Sequence, residues 1–415
     1  MAYIPPHKRH HSKDADQSTP TPSPIPASFS PRFQKALNLG PSRRRKDRHG
    51  AGKIVYAADS IFRWWPVGAA PDGDPIPDSF RLEPFDCEIV ERRDGEKPLV
   101  LVSGGDLEES AAEGHDIPPW VSIAERIVPD LITAALGARN ELKQDGDEVV
   151  KLNFVARPGK NIFLGSSSFS IDSIRKAAFT LLNSSNRLPK IFYANVPNAY
   201  MENIQTSVAP KIGFTFHSEK EYYHIKVSDK CRPDITIICK CMVTESRQLE
   251  IYKIQYNLVR YLVADISCLK KELDLRLLLV TKRKMKTIDN EENDAINELV
   301  SSAVIDPDVK GGLRWPLGKQ SAAERFSVIG AWHCKRVDLK SDSMRLSLMH
   351  ADRFDFTNST GEVSTEVTLK MTEITKYLME GDMETGLLEV MVQELVKLFW
   401  DHLLRCNDLT STKPI

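Results

Sequence analysis

From Lys53 onward, apolar residues alternate in short runs that come in neighbouring pairs, and no regular succession of helices separates them. A run of alternating apolar and polar residues fits a half-buried strand. Strands that come in adjacent pairs close as hairpins, so the pattern restricts the chain to an antiparallel or mixed sheet and disfavours a doubly wound one. Strands are expected near 54–58, 84–91 and 97–102, the last two turning at Asp94-Gly95. Further pairs fall near 148–156 and 160–165, with Pro158-Gly159 as their turn, and near 213–218, 221–228, 234–243 and 248–256. Leu275–Val280 reads as a buried strand, and the last third supplies strands at 325–337, 343–350 and 362–371. Helices are expected over Pro118–Gln144, Ser170–Asn183, 197–208, Leu258–Leu273, 290–303 and 384–405. The expected class is α+β: antiparallel or mixed sheets with flanking helices behind an N-terminal tail.

That tail is set apart by composition. Residues 1–41 carry eight prolines and few large apolar side chains, so they cannot bury enough surface to offset chain entropy. One short helix is expected within it, at Ser30–Gly40, with Phe29, Phe33 and Leu37 a turn apart. Residues 1–53 hold eleven Lys and Arg against three acids, a surplus of eight that leaves the rest at −9 within a whole-chain charge of −1. A cationic leader on an anionic body favours polyanion binding by the leader, or the leader folding back. Three segments follow: a disordered basic tail at 1–53, an α+β region at 54–310, and C-terminal strands with a long amphipathic helix at 311–415, either separate from the second or one domain with it.

Seven scattered cysteines and an opening without an apolar stretch argue for a reducing compartment, the nucleus or cytoplasm. The most hydrophobic stretch, Leu387–Leu404, holds five charged or titratable residues, and no membrane association is expected. Cys239 and Cys241 share a strand face near Cys231 but lack a second pair, so they read as buried thiols; neither metal nor cofactor is expected.

The binding residues expected from the tail are Tyr3, Ile4, Lys8 and Arg9, together with Arg43, Arg44, Arg45, Lys46 and Arg48. The first group joins a polyproline stub to an aromatic and two cations, a shape suited to a groove or to stacking. The second is a dense run whose phosphate contacts would release counterions without choosing sequence. Thr19, Thr21, Ser23 and Ser30 each precede proline; phosphates there, roughly −1.5 to −2 each, would offset the leader's charge. A second basic run, Lys282 to Lys286, follows Leu275–Val280, and Tyr222, Tyr223 and Tyr252 interleave with Lys220, His224 and Lys253 like a stacking face. Two readings are open: an extension of an RNA surface, or a solvated loop and core aromatics.

Tyr3-Ile4-Pro5-Pro6-His7-Lys8-Arg9 resembles a segment in the N-termini of some DEAD-box RNA helicases. No helicase motor motif accompanies it, so the resemblance implies a shared partner or RNA-rich setting. The opening Met1–Asp14, with the Trp-Pro and Trp-His segments of the body, resembles a land-plant family of unknown function, which implies a folded domain and no particular activity.

The expectation from sequence is therefore a non-enzymatic scaffold for RNA or an RNA-associated protein. Two alternatives stand beside it. One is a hydrolase-like enzyme in which His333 and His350 meet on paired strands with Asp352 or Asp355 behind them. The other is a structural protein whose tail neutralises its own body.

Overall fold

The computed structural model describes residues 46–47, 54–67, 76, 78–103, 117–144, 149–165, 170–178, 189–284, 290–380 and 383–406. Its longer strands are β1 Ile54–Val67, β2 Phe80–Pro84, β3 Leu99–Ser103, β4 Val149–Phe163, β5 Lys190–Tyr193, β6 Thr215–Asp229 and β7 Thr236–Val243. They continue with β8 Leu249–Tyr256, β9 Val259–Cys268, β10 Asp274–Lys284, β11 Phe326–Lys340, β12 Met344–Asp355 and β13 Thr360–Met371. The helices named below are α1 Glu88–Asp94, α2 Pro119–Gln144, α3 Ile171–Ala178, α4 Asn198–Asn203, α5 Asn290–Ser301, α6 Thr372–Met379 and α7 Thr385–Leu398.

Eight strands close into an antiparallel barrel. Around the ring, β10 pairs with β4, β4 with β13, β13 with β12, and β12 with β11. From there β11 pairs with β6, β6 with β7, β7 with β8, and β8 returns to β10 through Gln255 opposite Lys284. Closure removes the exposed backbone edges that an open sheet would carry. A wing extends from β10 through antiparallel β9 to β1, which runs parallel to β9. Residues 44–415 form one compact unit.

Period-2 patterning decides which side chains enter the bore. The odd positions of β13, Val367, Leu369 and Met371, pack outward with Leu131 of α2 and Val392 of α7 in the largest core. On the opposite wall, Ile225, Val227, Ile237 and Cys239 pack outward against Ile296 and Leu299 of α5. The alternate positions, many of them charged, therefore face inward. Helix α2 lies over the wing with Ile123, Ile127 and Leu131 fully buried, and Asp130 grips Arg63 of β1 through two hydrogen bonds of 2.5 and 2.8 Å.

Several expectations change on the way from sequence to structure. The helix expected at Leu258–Leu273 is instead the strand Val259–Cys268 followed by a turn: every residue from Tyr261 to Cys268 is buried, and a continuous apolar run has no period to separate helix from strand. Pro158-Gly159 is not a turn, because β4 runs straight through it with Leu275 and Asp274 opposite. Residues 84–91 divide between the end of β2 and α1, where Gly95 at φ 77° caps the helix. Likewise 213–218 and 221–228 are one strand, β6. Lys46–Asp47, placed in the tail by sequence, pairs antiparallel with the start of β1. The short helix at 30–40 lies outside the described residues.

Gly159 allows a close approach of chains. A Cβ there would sit 2.5 Å from both the Phe192 ring and the Tyr193 carbonyl oxygen. Gly159→Ala is expected to cost about 1 to 3 kcal/mol, the usual range for overpacking. Gly137→Ala, in an open stretch of α2, should stabilise by about 0.5 to 1 kcal/mol. Urea unfolding of both variants checks the pair.

Candidate anion site inside the barrel

The bore is lined by cations that the surrounding apolar packing drives inward. On β7, Ile237, Cys239 and Cys241 go to the outer core, which turns Lys240 into the barrel beside His224 of β6 and Lys253 of β8. The same alternation places Lys282 of β10, Arg336 of β11 and Lys370 of β13 inside. Lys282 responds to the charges of Lys240, Lys370, Arg336 and Lys253, which places its ammonium among theirs. Among the described residues, no carboxylate lies within ion-pair distance of Lys240 or Lys282. Asp338, whose charge acts on Lys240, is held by Arg336 at 2.8 Å and by the Ser347 hydroxyl at 2.6 Å.

Electrostatics follow from that crowding. Burial, reinforced by neighbouring cations, lowers Lys282 to about 7 and Lys240 to about 8. Burial likewise lowers Lys226 to about 7, with Arg353 adding to the effect. His224 falls well below its ordinary value, first from burial and then from Lys240 and Lys226. A neutral imidazole keeps an acceptor nitrogen, and His224 Nε2 is buried without a hydrogen-bond partner. Gln255 Oε1, Ser364 Oγ and Asn153 Oδ1 are in the same condition. Such groups cost stability when left unmet; the imidazole nitrogen and the two amide oxygens are acceptors that call for a donor such as water, whereas the lysines and Arg336 call for an anion.

Toward the end of the bore where β13 begins, the arrangement differs. The Arg353 guanidinium donates to Glu366 at 2.5 Å, and Arg157 lies 3.9 Å from the other Glu366 oxygen. Burial acts to raise Glu366, but Arg353 and Arg157 outweigh it and hold the carboxyl below its usual value. Trp332 carries Lys226 over its ring at 3.7 Å and Arg353 at 4.5 Å. Glu366→Gln would remove the carboxylate shared by two half-buried guanidiniums and should cost about 1.5 to 3 kcal/mol by denaturant unfolding. A loss below about 1 kcal/mol would show the ion pairs to be dispensable.

The residues singled out from sequence are distributed as follows. His333 lies on the outer wall, 2.6 Å from Glu221 and stacked on Tyr223 at 4.7 Å. Asp352 stands opposite His333 in the β11–β12 pairing, and its carboxylate accepts from the Gly311 amide at 3.1 Å. His350 is paired with Lys335, and its Nδ1 is 3.4 Å from the Thr365 hydroxyl. Asp355 caps the turn after β12, accepting from the Thr357 amide at 2.8 Å and from Asn358 at 3.1 Å. Tyr3, Ile4, Lys8, Arg9, Arg43, Arg44, Arg45 and Arg48 lie outside the described residues, as do Thr19, Thr21, Ser23 and Ser30. Cys239 and Cys241 are buried free thiols, whereas Cys231 is exposed. Among the described residues no group of three potential metal ligands converges, and no helix is long and apolar enough to cross a membrane.

Sequence reasoning missed Lys226, Lys240, Trp332, Arg336, Arg353, Glu366 and Lys370. The available signal was cations at alternate positions within strands, as in His224-Ile225-Lys226-Val227.

A family model described as a domain of unknown function matches residues 48–403. No curated protein matches the chain. Among solved structures, the chain is similar to the S. pombe RNA triphosphatase Pct1 in complex with the Spt5 CTD. That likeness has 12% identity, covers 71% of this chain and 96% of that one, and gives a TM-score of 0.41. It is also similar to the Mimivirus capping enzyme triphosphatase, with 9% identity, 68% and 98% covered, and a TM-score of 0.29. A third likeness is to a putative adenylate cyclase from Bacillus halodurans, with 12% identity, 53% and 95% covered, and a TM-score of 0.23. At these values the likenesses assign neither activity nor ligand to this chain.

Proposed function

This chain belongs to the DUF7903 family, a domain of unknown function, and we propose that its barrel is a receptor for a phosphate-rich polyanion. The observation that carries the reading is the group formed by Lys240, Lys282, Lys370 and Arg336, for which Asp338 beside Arg336 is the one carboxylate within ion-pair distance among the described residues. A protein that only needed a stable barrel would gain by filling those positions with apolar side chains. Phosphate suits the site because its oxygens accept several charge-assisted hydrogen bonds at once, from ammonium and guanidinium together. The basic run Arg43–Arg48 extends the reading to RNA: a leader that holds a nucleic-acid backbone without sequence choice raises the local concentration of phosphate near the barrel. The role proposed is binding and presentation.

Calorimetric titration with tripolyphosphate tests the barrel's part. Saturable binding of one ligand per chain is expected, weakening steeply as salt is raised. Absence of saturable binding at low salt would overturn the reading.

A further inference from the structure

On the outside of the barrel, and independently of its interior, we infer a peptide site: the groove between β8 and α5 takes an extended basic peptide as an added strand. The ring of pairings leaves one length of edge open there. β8 pairs with β7 from Leu249 to Tyr256 but meets β10 only at Gln255. Among the described residues, Leu249, Glu250 and Ile251 therefore have a neighbouring strand on one side only. Alternate residues along such an edge turn their amide and carbonyl away from the sheet. A bulge at Tyr252 ends the open stretch, since Lys240 pairs with Lys253 and Cys241 with Ile251. At the far end of β8, Arg232 bonds both Glu292 of α5 and the Tyr256 hydroxyl.

Helix α5 turns the open edge into a groove of about 600 Å³, a volume ordinary for ligand sites. Its floor is apolar: Leu249 is 9% exposed and Val300 2%, with Ile251 half-buried. Its walls carry Glu250 from the strand and, one helical turn apart, Asp294 and Glu298 from α5. All three carboxylates are exposed. Lys319 reaches Glu298 at 3.4 Å with both side chains more than half exposed. No other cation lies within ion-pair distance of the three acids among the described residues.

Backbone, floor and charge together select the occupant. An open edge recognises the main chain of an extended segment, and pockets beside it read alternate side chains. Arginine or lysine suits those alternate positions. Its aliphatic stem covers Leu249, Ile251 and Val300, while its cation reaches Asp294 and Glu298. Charged edges also keep sheets from pairing with one another. Here the charge has one sign, so it rejects anionic partners, nucleic acid included, and admits cationic ones.

The probe is the blocked hexapeptide Arg-Val-Arg-Val-Arg-Val, titrated into the full chain by calorimetry. Two isomers, N-methylated on the arginines or on the valines, and the peptide with glutamate in place of arginine accompany it. Saturable one-to-one binding tighter than about 1 mM is expected, with amide exchange slowed at Leu249–Ile251. One methylated isomer should lose binding and the other keep it, because only one edge of the added strand faces β8. The glutamate peptide should not bind. Glu250→Lys with Asp294→Lys should weaken the arginine peptide about tenfold or more, the product of several exposed ion pairs worth a few-fold each. Tripolyphosphate affinity should be unchanged in that variant, which separates this groove from the anion site. Absence of saturable binding, slowed exchange that misses β8, equal behaviour of the two methylated isomers, or full affinity in the charge-reversed variant would each overturn the inference.

Discussion

Replacing Lys240 and Lys282 together by methionine is expected to abolish tripolyphosphate binding while making the free protein more stable. Each lysine supplies a charge-assisted contact of about 1.5 to 3 kcal/mol, so losing both should weaken binding about a hundredfold or more. Stability should move the other way by about 1 to 3 kcal/mol, because methionine fills similar space without a buried charge beside Arg336 and Lys370. Most substitutions at sites chosen for folding do the reverse. Urea unfolding and calorimetry on the same preparation separate the cases. A destabilised variant that still binds would mean that the two lysines serve the fold.

Binding should also take up protons. In the free barrel Lys226 and Lys282 titrate at about 7 and Lys240 at about 8, so at pH 8 part of the cationic set is neutral. An anion favours the charged form, and linkage then requires affinity to fall as pH rises. One proton taken up per ligand gives about a hundredfold loss between pH 7 and pH 9. Titrations in buffers of differing ionisation heat count the protons directly. The sign for stability is opposite. Lysines whose folded values lie below the unfolded one bind fewer protons when folded, so the free protein gains stability as pH rises from about 7 toward 10. Saturating tripolyphosphate should flatten or invert that slope. A pH-independent affinity would contradict the account of the interior.

Much of the barrel wall was legible because its strands alternate. The pairs β7–β8, β11–β12 and β12–β13 lie within a few residues of their expected bounds, since turns and period-2 patterning are local signals. Closure was not legible: the pairing of β4 with β10 joins Val149 to Lys284, and nothing in either segment names the other. Val259–Cys268 was misread because a strand buried on both faces loses its period. The lysines were visible but misplaced. Lys282 belongs to a run read as loop or RNA-facing surface, yet β10 continues through it and turns its ammonium inward. Tyr222 and Tyr223 were grouped as one stacking face, whereas Tyr223 packs with the outer cluster and Tyr222 with Cys334 in another. Charge inside a closed sheet looks, residue by residue, like charge on an open one. Only the ring of pairings tells them apart.

The most direct measurement is an anomalous diffraction map from crystals soaked in tungstate, a heavy-atom oxyanion with phosphate-like geometry. The account predicts a peak inside the barrel at hydrogen-bonding distance from Lys240, Lys282 or Arg336, absent from the Lys240→Met, Lys282→Met crystals. Peaks confined to the outer surface, with the bore empty, would contradict it.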